Sequence, residues 1–425
     1  MPFSAISPAW PLLLGMGVLM LGAGLQSTLL GVRATHEQFS APTIGVVMSC
    51  YYVGYLVGTI IAPRLVRSVG HIRVFAAFAA VASAATLVQA IAVHPVSWAA
   101  MRLVSGLCFA GIYVVAESWL NERASPDNRS RLFAVYMVVL YVGLGAGQFL
   151  LTLWDPRSAG PFMLVSALIS LAMVPLVVSA QSAPIVGARG RVNYGDLYRT
   201  APLGVAAVFA AGVITSIIFS IGPVYARLIE LDTSGIATFM AASIFAGVAT
   251  QYPIGALADR MDRRVVIAGV CATATLVALL LVFLPHGSRA LLIVLSATMT
   301  GLVLTIYSLG ISHVNDRLEA AQMVAASSAL LLLNGLGAIA GPLLASGMIG
   351  LFGPNAYFAT LAALTGGLTL YCVWRRIRRL PVPAGQRGPF LTSQPEPCAS
   401  IGADVAAGGQ LAPIDESALA DANQA

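Results

Sequence analysis

Residues 113–147 read YVVAESWLNERASPDNRSRLFAVYMVVLYVGLGAG, and residues 307–341 read YSLGISHVNDRLEAAQMVAASSALLLLNGLGAIAG. At a constant offset of 194, Tyr113, Asn121, Glu122, Arg123, Gly143 and Gly147 fall on Tyr307, Asn315, Asp316, Arg317, Gly337 and Gly341. In so apolar a chain, that match marks a duplicated unit, with only a charge-conserving exchange at Glu122/Asp316. An internal repeat settles architecture before local features do. In a membrane chain it implies a transporter of two related halves, with its site at the seam between them.

Working outward, the whole chain reads as membrane-embedded. It is 58% hydrophobic and 9% charged, with a mean hydropathy of +0.86. Soluble domains carry about 25% charged residues, so a globular enzyme with a large core is excluded. Apolar runs of about 18 residues or more are read as membrane helices. Twelve are predicted: 10–32, 42–63, 74–93, 96–120, 132–154, 162–178, 201–225, 235–258, 265–285, 290–314, 323–352 and 355–374. The first is too long for a signal-peptide core and lacks a basic leader, so it is read as a retained helix. The polar stretch 179–200, with Arg189, Arg191 and Arg199, splits the spans six and six. The expected organisation is a six-helix bundle over 1–180, a cytoplasmic linker over 181–200 and a second bundle over 201–376. A tail over 377–425, rich in Pro, Gly, Ala and acids, is expected to be disordered.

All 23 basic residues are arginine, and their placement sets orientation. One set of loops holds Arg64, Arg67, Arg73, Arg123, Arg129, Arg131, Arg189, Arg191, Arg199, Arg260, Arg263, Arg264 and Arg317. The opposite set holds only Arg33, Arg157, Arg227 and Arg289. Positive charge stays inside, so both termini are expected in the cytoplasm of a multi-pass bacterial inner-membrane protein. The net charge of +6 is spread over these short loops and does not point to nucleic acid. Cys50, Cys108, Cys271, Cys372 and Cys398 include no CxxC pair, and His313 has no second His or Cys near it in sequence, so neither disulfide framework nor metal site is expected. No G-x-x-x-x-G-K-[ST] loop and no nucleophile–base set is present, which argues against ATP drive and against an enzyme. No cofactor is expected. A monomer is.

Only two clearly charged residues lie inside predicted spans, Arg102 and Glu117, both in the fourth. Each costs about 2.5–3.5 kcal/mol near a helix centre, so each needs a partner or a function. At 100° per residue, Gly106, Tyr113 and Glu117 fall within about 60° of Arg102, one polar stripe. Arg102 and Glu117 are about 22 Å apart along the helix and cannot pair directly; the stripe would line one path at two depths. Arg102 either braces neighbouring helices or meets an anionic substrate or coupling group. Glu117 either anchors the loop after it or carries a proton, since burial raises a carboxyl pKa and a nearby arginine lowers it. Gln26, Tyr51, Tyr55, Gln148, Tyr307 and Asn334 are further candidates, weighed against a role as helix–helix glue.

Three motifs resemble the major facilitator superfamily. The loop Gly255-Ala-Leu-Ala-Asp259-Arg260-Met-Asp262-Arg263-Arg264 resembles its signature G-x-L-a-D-r-x-G-r-r, with Asp262 in place of the glycine. The matching first-half loop keeps Gly70 but has Arg67 where the acid belongs. Arg102-Leu-Val-Ser-Gly106-Leu-Cys108 is similar to R-x-x-q-G-x-g, and Ala116-Glu117-Ser118 with 304–316 looks like the YcaD-like branch. Gly143-x-Gly145-x-Gly147-Gln148 departs from the drug-antiporter signature, which has proline where Gln148 stands. The resemblance implies an all-α fold of two pseudo-symmetric six-helix bundles whose spans one, four, seven and ten line a central cavity. It also implies secondary active transport of a small molecule, with protons as the default coupling ion and export favoured. Organic-anion uptake, or a non-transporting scaffold or sensor, are the alternatives. The signature loops would gate: Asp259 against the N-terminus of span five, and Arg263 or Arg264 with Asp316. Arg67 would face the N-terminus of span eleven, with Glu319 or Glu122 absorbing the mismatch.

Overall fold

The computed structural model describes residues 9–123, 129–178, 199–283, 288–318 and 320–378, with side chains described except at 122–123, 129–130, 320–325 and 378. Twelve helices long and apolar enough to cross a membrane follow one another. The first six are α1 (Trp10–His36), α2 (Ala41–Val69), α3 (His71–Ile91), α4 (Pro95–Arg123), α5 (Arg129–Phe149) and α6 (Gly160–Ala172, resuming as Val174–Val178). The second six are α7 (Pro202–Leu228), α8 (Thr233–Arg260), α9 (Arg263–Phe283), α10 (Arg289–Asn315), α11 (Ala320–Phe352) and α12 (Ala356–Arg378). Exposed Leu14, Val142, Leu276 and Leu370 cover the outer surface with hydrocarbon, as lipid-facing helices require.

Helix pairing repeats between the halves. In the first, α1 packs on α5, α2 on α4 and α3 on α6; in the second, α7 packs on α11, α8 on α10 and α9 on α12. The duplicated glycines allow close crossings at α1–α5 and α7–α11. A Cβ at Gly143 or Gly147 would collide with the α1 backbone at Gly17 and Leu21, and one at Gly337 or Gly341 with the α7 backbone at Phe209 and Val213. Small residues let two backbones approach closely, which drives association where lipid removes any hydrophobic preference for protein.

A second echo joins the ends of α1 and α7, offset by 192. Phe39 N–H donates to the Ala34 carbonyl, and Leu231 N–H to the Ala226 carbonyl, each closing a helix C-terminus. The residues before them, Gln38 and Glu230, take positive φ of 58° and 62°. The next helix then starts alike: Ser40 caps α2 through Thr43 N–H and Asp232 caps α8 through Gly235 N–H.

Two boundaries differ from the hydropathy reading. The run 132–154 is helical only to Phe149 and continues as a 3₁₀ turn, Leu150–Leu153. The run 162–178 is interrupted at Met173, because Pro175 lacks an N–H and its ring crowds the carbonyl four residues back. The expected linker 181–200 falls almost wholly outside the described residues, as does the tail 377–425.

Among the described residues, contacts between the halves run from mid-depth to the end of the molecule away from the arginine-rich turns. There, α1 meets α7, α2 meets α11 and α5 meets α8. Gly31 lies against Pro223 and Val224, Gly45 against Pro342 and Ser346, and Gly145 against the Phe245 ring. Ser49 donates to the Ile339 carbonyl at 2.8 Å, tying α2 to the kinked middle of α11.

Candidate functional site

A small cavity of about 40 Å³ sits at this seam. The first half supplies Gln26 and Ser27 from α1, Tyr51 and Tyr52 from α2, and Arg102 and Phe109 from α4. Phe219 and Ser220 of α7 close it from the second half. Arg102, 6% exposed, lays its guanidinium 4.2 Å from the centroid of the Tyr51 ring. A cation over an aromatic face is stabilised by the ring quadrupole, the more so where water is excluded. The Tyr51 ring in turn meets those of Tyr52 (5.4 Å), Tyr55 (6.0 Å) and Phe109 (6.3 Å), so the cation rests on a packed aromatic wall. Gly106 makes this possible, since a Cβ there would strike the Tyr51 carbonyl and push α2 from α4. The Tyr52 hydroxyl and the Ser220 hydroxyl lie 3.0 Å apart, a hydrogen bond that joins the halves at the cavity wall.

Of the seven substrate or coupling candidates, the structure brings only Arg102 and Gln26 to this cavity. Gln26 also donates to Thr86 of α3 at 3.0 Å. Tyr113 points its hydroxyl at the Met20 sulfur, 3.3 Å away, instead of at the lumen. Gln148 accepts from Thr28 and donates to the Leu144 carbonyl, tying α5 to α1. Asn334 donates to the Val208 carbonyl at 2.9 Å and bonds α11 to α7. These side chains act as helix–helix glue. Glu117 is buried at 2% exposure, with Tyr136 of α5 beside it, nearer the arginine-rich end. The members of the α4 stripe meet different neighbours: Arg102 the Tyr51 ring of α2, and Tyr113 both Met20 of α1 and the Tyr55 ring of α2. Tyr307 packs against the small apolar cluster around Val205 and Leu330 and contributes nothing to the cavity wall. Depth explains this, since Tyr113 and Tyr307 both sit about 27 Å from the far ends of their helices, beyond the cavity.

The α8–α9 turn is a dense charge cluster. Arg263 pairs with Asp316 at 3.0 Å, their side chains 1% and 4% exposed, which locks the start of α9 to the end of α10. Arg264 pairs with Asp262 at 2.7 Å. Asp262 Oδ1 also accepts from the Arg264 N–H at 3.0 Å and so caps the new helix. Asp259 is half-exposed and lies 3.9 Å from Arg263, while Arg260 is exposed. In the first half, Arg67 is exposed and turns back to the Pro63 carbonyl at 3.1 Å. Gly70 takes φ +88° and ends α2 while starting α3, a conformation that favours glycine. The Glu122 side chain, Glu319 and the side chains at the start of α5 and α11 lie outside the described residues. The expected contacts of Asp259 and Arg67 with those two helix starts lie there too.

The model of the Major Facilitator Superfamily matches residues 12–312 and 230–408. The chain belongs to the major facilitator superfamily. An MFS-type transporter of Escherichia fergusonii, YcaD, is 28% identical over 360 residues, spanning 84% of this chain and 93% of the relative. One of Yersinia enterocolitica is 27% identical over 385 residues, 90% and 98% of the two chains. Among solved structures, the nucleoside transporter NupG superposes with a TM-score of 0.73 at 14% identity, covering 86% of this chain and 98% of its own. A bacterial homolog of the lysosomal transporter Spinster gives 0.69 at 13% identity, covering 91% and 99%. This is a multi-pass membrane protein of a family of transporters, and its relatives are named as such.

Two features set this major facilitator chain apart from what its resemblance implies. The lining comes from α1, α2, α4, α5 and α7, and no residue of α10 takes part in it. And Asp262, which breaks the signature, caps α9 and holds Arg264, while Arg263 pairs with Asp316. Tyr52, Phe109, Phe219 and Ser220 are lining residues that the sequence did not single out. An aromatic or hydroxyl among so many gives no periodic signal, and only the pairing of α2 with α7 reveals them.

Proposed function

We propose that this protein is a secondary active transporter whose substrate binds in the seam cavity and crosses by alternating access. The observation that carries the reading is the position of Arg102: a buried cation on the wall of a cavity that both halves build. The described contacts between the halves support a state closed at the end away from the arginine-rich turns. By the positive-inside rule that end faces the periplasm of a bacterial inner membrane, with both termini in the cytoplasm. The halves are assigned to 1–180 and 201–376, with 181–200 as a cytoplasmic linker. Glu117 is assigned as the proton-carrying group. It is the acid buried within a span, and a carboxyl whose surroundings change between states can load and release a proton. Export is assigned by family analogy alone.

Alternation is testable without a known substrate. Ser27→Cys, in a background with the native cysteines changed to serine, places one thiol on the cavity wall. A membrane-impermeant maleimide should label it from either side of the membrane, in proportions that shift as pH is changed. Glu117→Gln should abolish that pH shift while labelling from both sides persists. Labelling from one side only, in the parent and at every pH, would overturn alternating access. A pH shift that survives Glu117→Gln would remove this carboxyl from the coupling role.

A further inference from the structure

We propose that the seam cavity takes an organic anion that carries a flat ring, its charge on Arg102 and its ring among Tyr51, Tyr52, Phe109 and Phe219. The inference deepens the transport reading and uses from it only that the cavity is a ligand site.

Charge is the first argument. Arg102 lines the cavity, and no acidic side chain does so among the described residues. At the low dielectric of a buried site, a cation on the wall favours an anion and disfavours a second cation far more strongly than it would in water. A planar guanidinium offers paired N–H groups to a carboxylate, phosphonate or sulfonate, a match that ammonium does not copy.

Shape is the second. Four aromatic rings stand on the wall and three of them belong to one packed cluster, with Arg102 at its edge. Rings prefer to meet rings edge-to-face or offset, at centroid distances of about 4.5–7 Å. A flat ring tied to an anionic group satisfies both walls at once, with the anion beside Tyr51 where the guanidinium already lies. Gln26, Ser27 and Ser220 supply a short polar arc on the remaining side, enough to bond one or two ring substituents.

The cavity is small, about 40 Å³, so the probe is a compact and flat anion, 2-naphthoate. Its comparators are 2-naphthamide, 2-naphthylmethylammonium and cyclohexanecarboxylate, which remove the charge, invert it, and remove the aromatic ring. Thermal unfolding of the purified protein reads binding, because a ligand of the folded state raises the melting temperature with its concentration. Naphthoate should raise it saturably, and the other three should need about tenfold more ligand or more for an equal shift, as expected from loss of a charge-assisted contact. Arg102→Gln should abolish the naphthoate shift. If that variant does not fold, Phe219→Trp, which narrows the slot from the other half, should weaken naphthoate by a similar factor. An equal shift from the amide or the ammonium would overturn the anion class while leaving the cavity a binding site. An equal shift from cyclohexanecarboxylate would overturn the flat ring. No shift from any probe would overturn the proposal as a whole, and the maleimide experiment would still decide alternating access by itself.

Discussion

Arg263 and Asp316 form a buried ion pair, their side chains 1% and 4% exposed, and that burial makes a sharp demand. Removing one member leaves the other charged and desolvated with its nearest counterion gone, at a cost of about 3–5 kcal/mol. Replacing both with apolar residues of similar volume removes the demand. Asp316→Asn should therefore lower the melting temperature strongly, and Arg263→Met with Asp316→Leu should recover part of the loss. A double variant that melts below both singles would show that the pair is a net stabiliser and not a matched liability. The intramembrane charges Arg102 and Glu117 were legible in the sequence, because a charge within an apolar run is conspicuous. The burial of Arg263 was not. It lies in a turn four residues from half-exposed Asp259, in a stretch whose composition suggests solvation. Only the closing of α9 onto α10 takes it out of water.

Helix crossings are where the duplication acts. Gly147 and Gly341 do the same work in the two halves, each letting α5 or α11 lie against the backbone of α1 or α7. Gly367, on the outer face of α12, has open space around the position of a Cβ. Gly147→Leu and Gly341→Leu should each cost about 1–3 kcal/mol, as forced expansion of a packed contact does. Gly367→Leu should leave melting unchanged, and a loss there equal to the others would refute the distinction between packed and lipid-facing glycines. These glycines carried the fold in the sequence, since residue identity survived at a fixed offset. The α1 and α7 ends did not reveal their likeness. Gln38/Glu230 and Ser40/Asp232 share backbone geometry and capping while differing in residue type, so the repeat persists in hydrogen bonding after it has faded from the letters. Likewise hydropathy placed twelve spans but missed the 3₁₀ turn after Phe149, because Leu150–Leu153 is as apolar as the helix before it.

At the scale of the molecule, the sequence located a seam, and the described contacts across it join the end away from the arginine-rich turns. Ser49, Gly45 and Gly350 place α2 against α11 at that end, with Tyr52 and Ser220 as the bridge just inside it. If transport requires the halves to part there, a covalent tie across α2 and α11 must hold the protein in the state described. The geometry offers one. A Cβ at Gly350 would lie 4.0 Å from the Ala41 Cβ, within the 3.5–4.5 Å span that a disulfide needs. Ala41→Cys with Gly350→Cys, in the serine background that carries Ser27→Cys, should cross-link on oxidation. The maleimide, used after oxidation, should then reach Ser27→Cys only from the arginine-rich side, and reduction should restore access from the other. The two ties are separable because the Ala41/Gly350 pair reports by mobility on a gel and the cavity thiol by its label. Access from both sides in fully cross-linked protein would mean that the far end opens without separating α2 from α11. The seam contacts would then be part of a permanent wall, and the moving gate would have to be sought between α1 and α7, at Gly31 and Pro223.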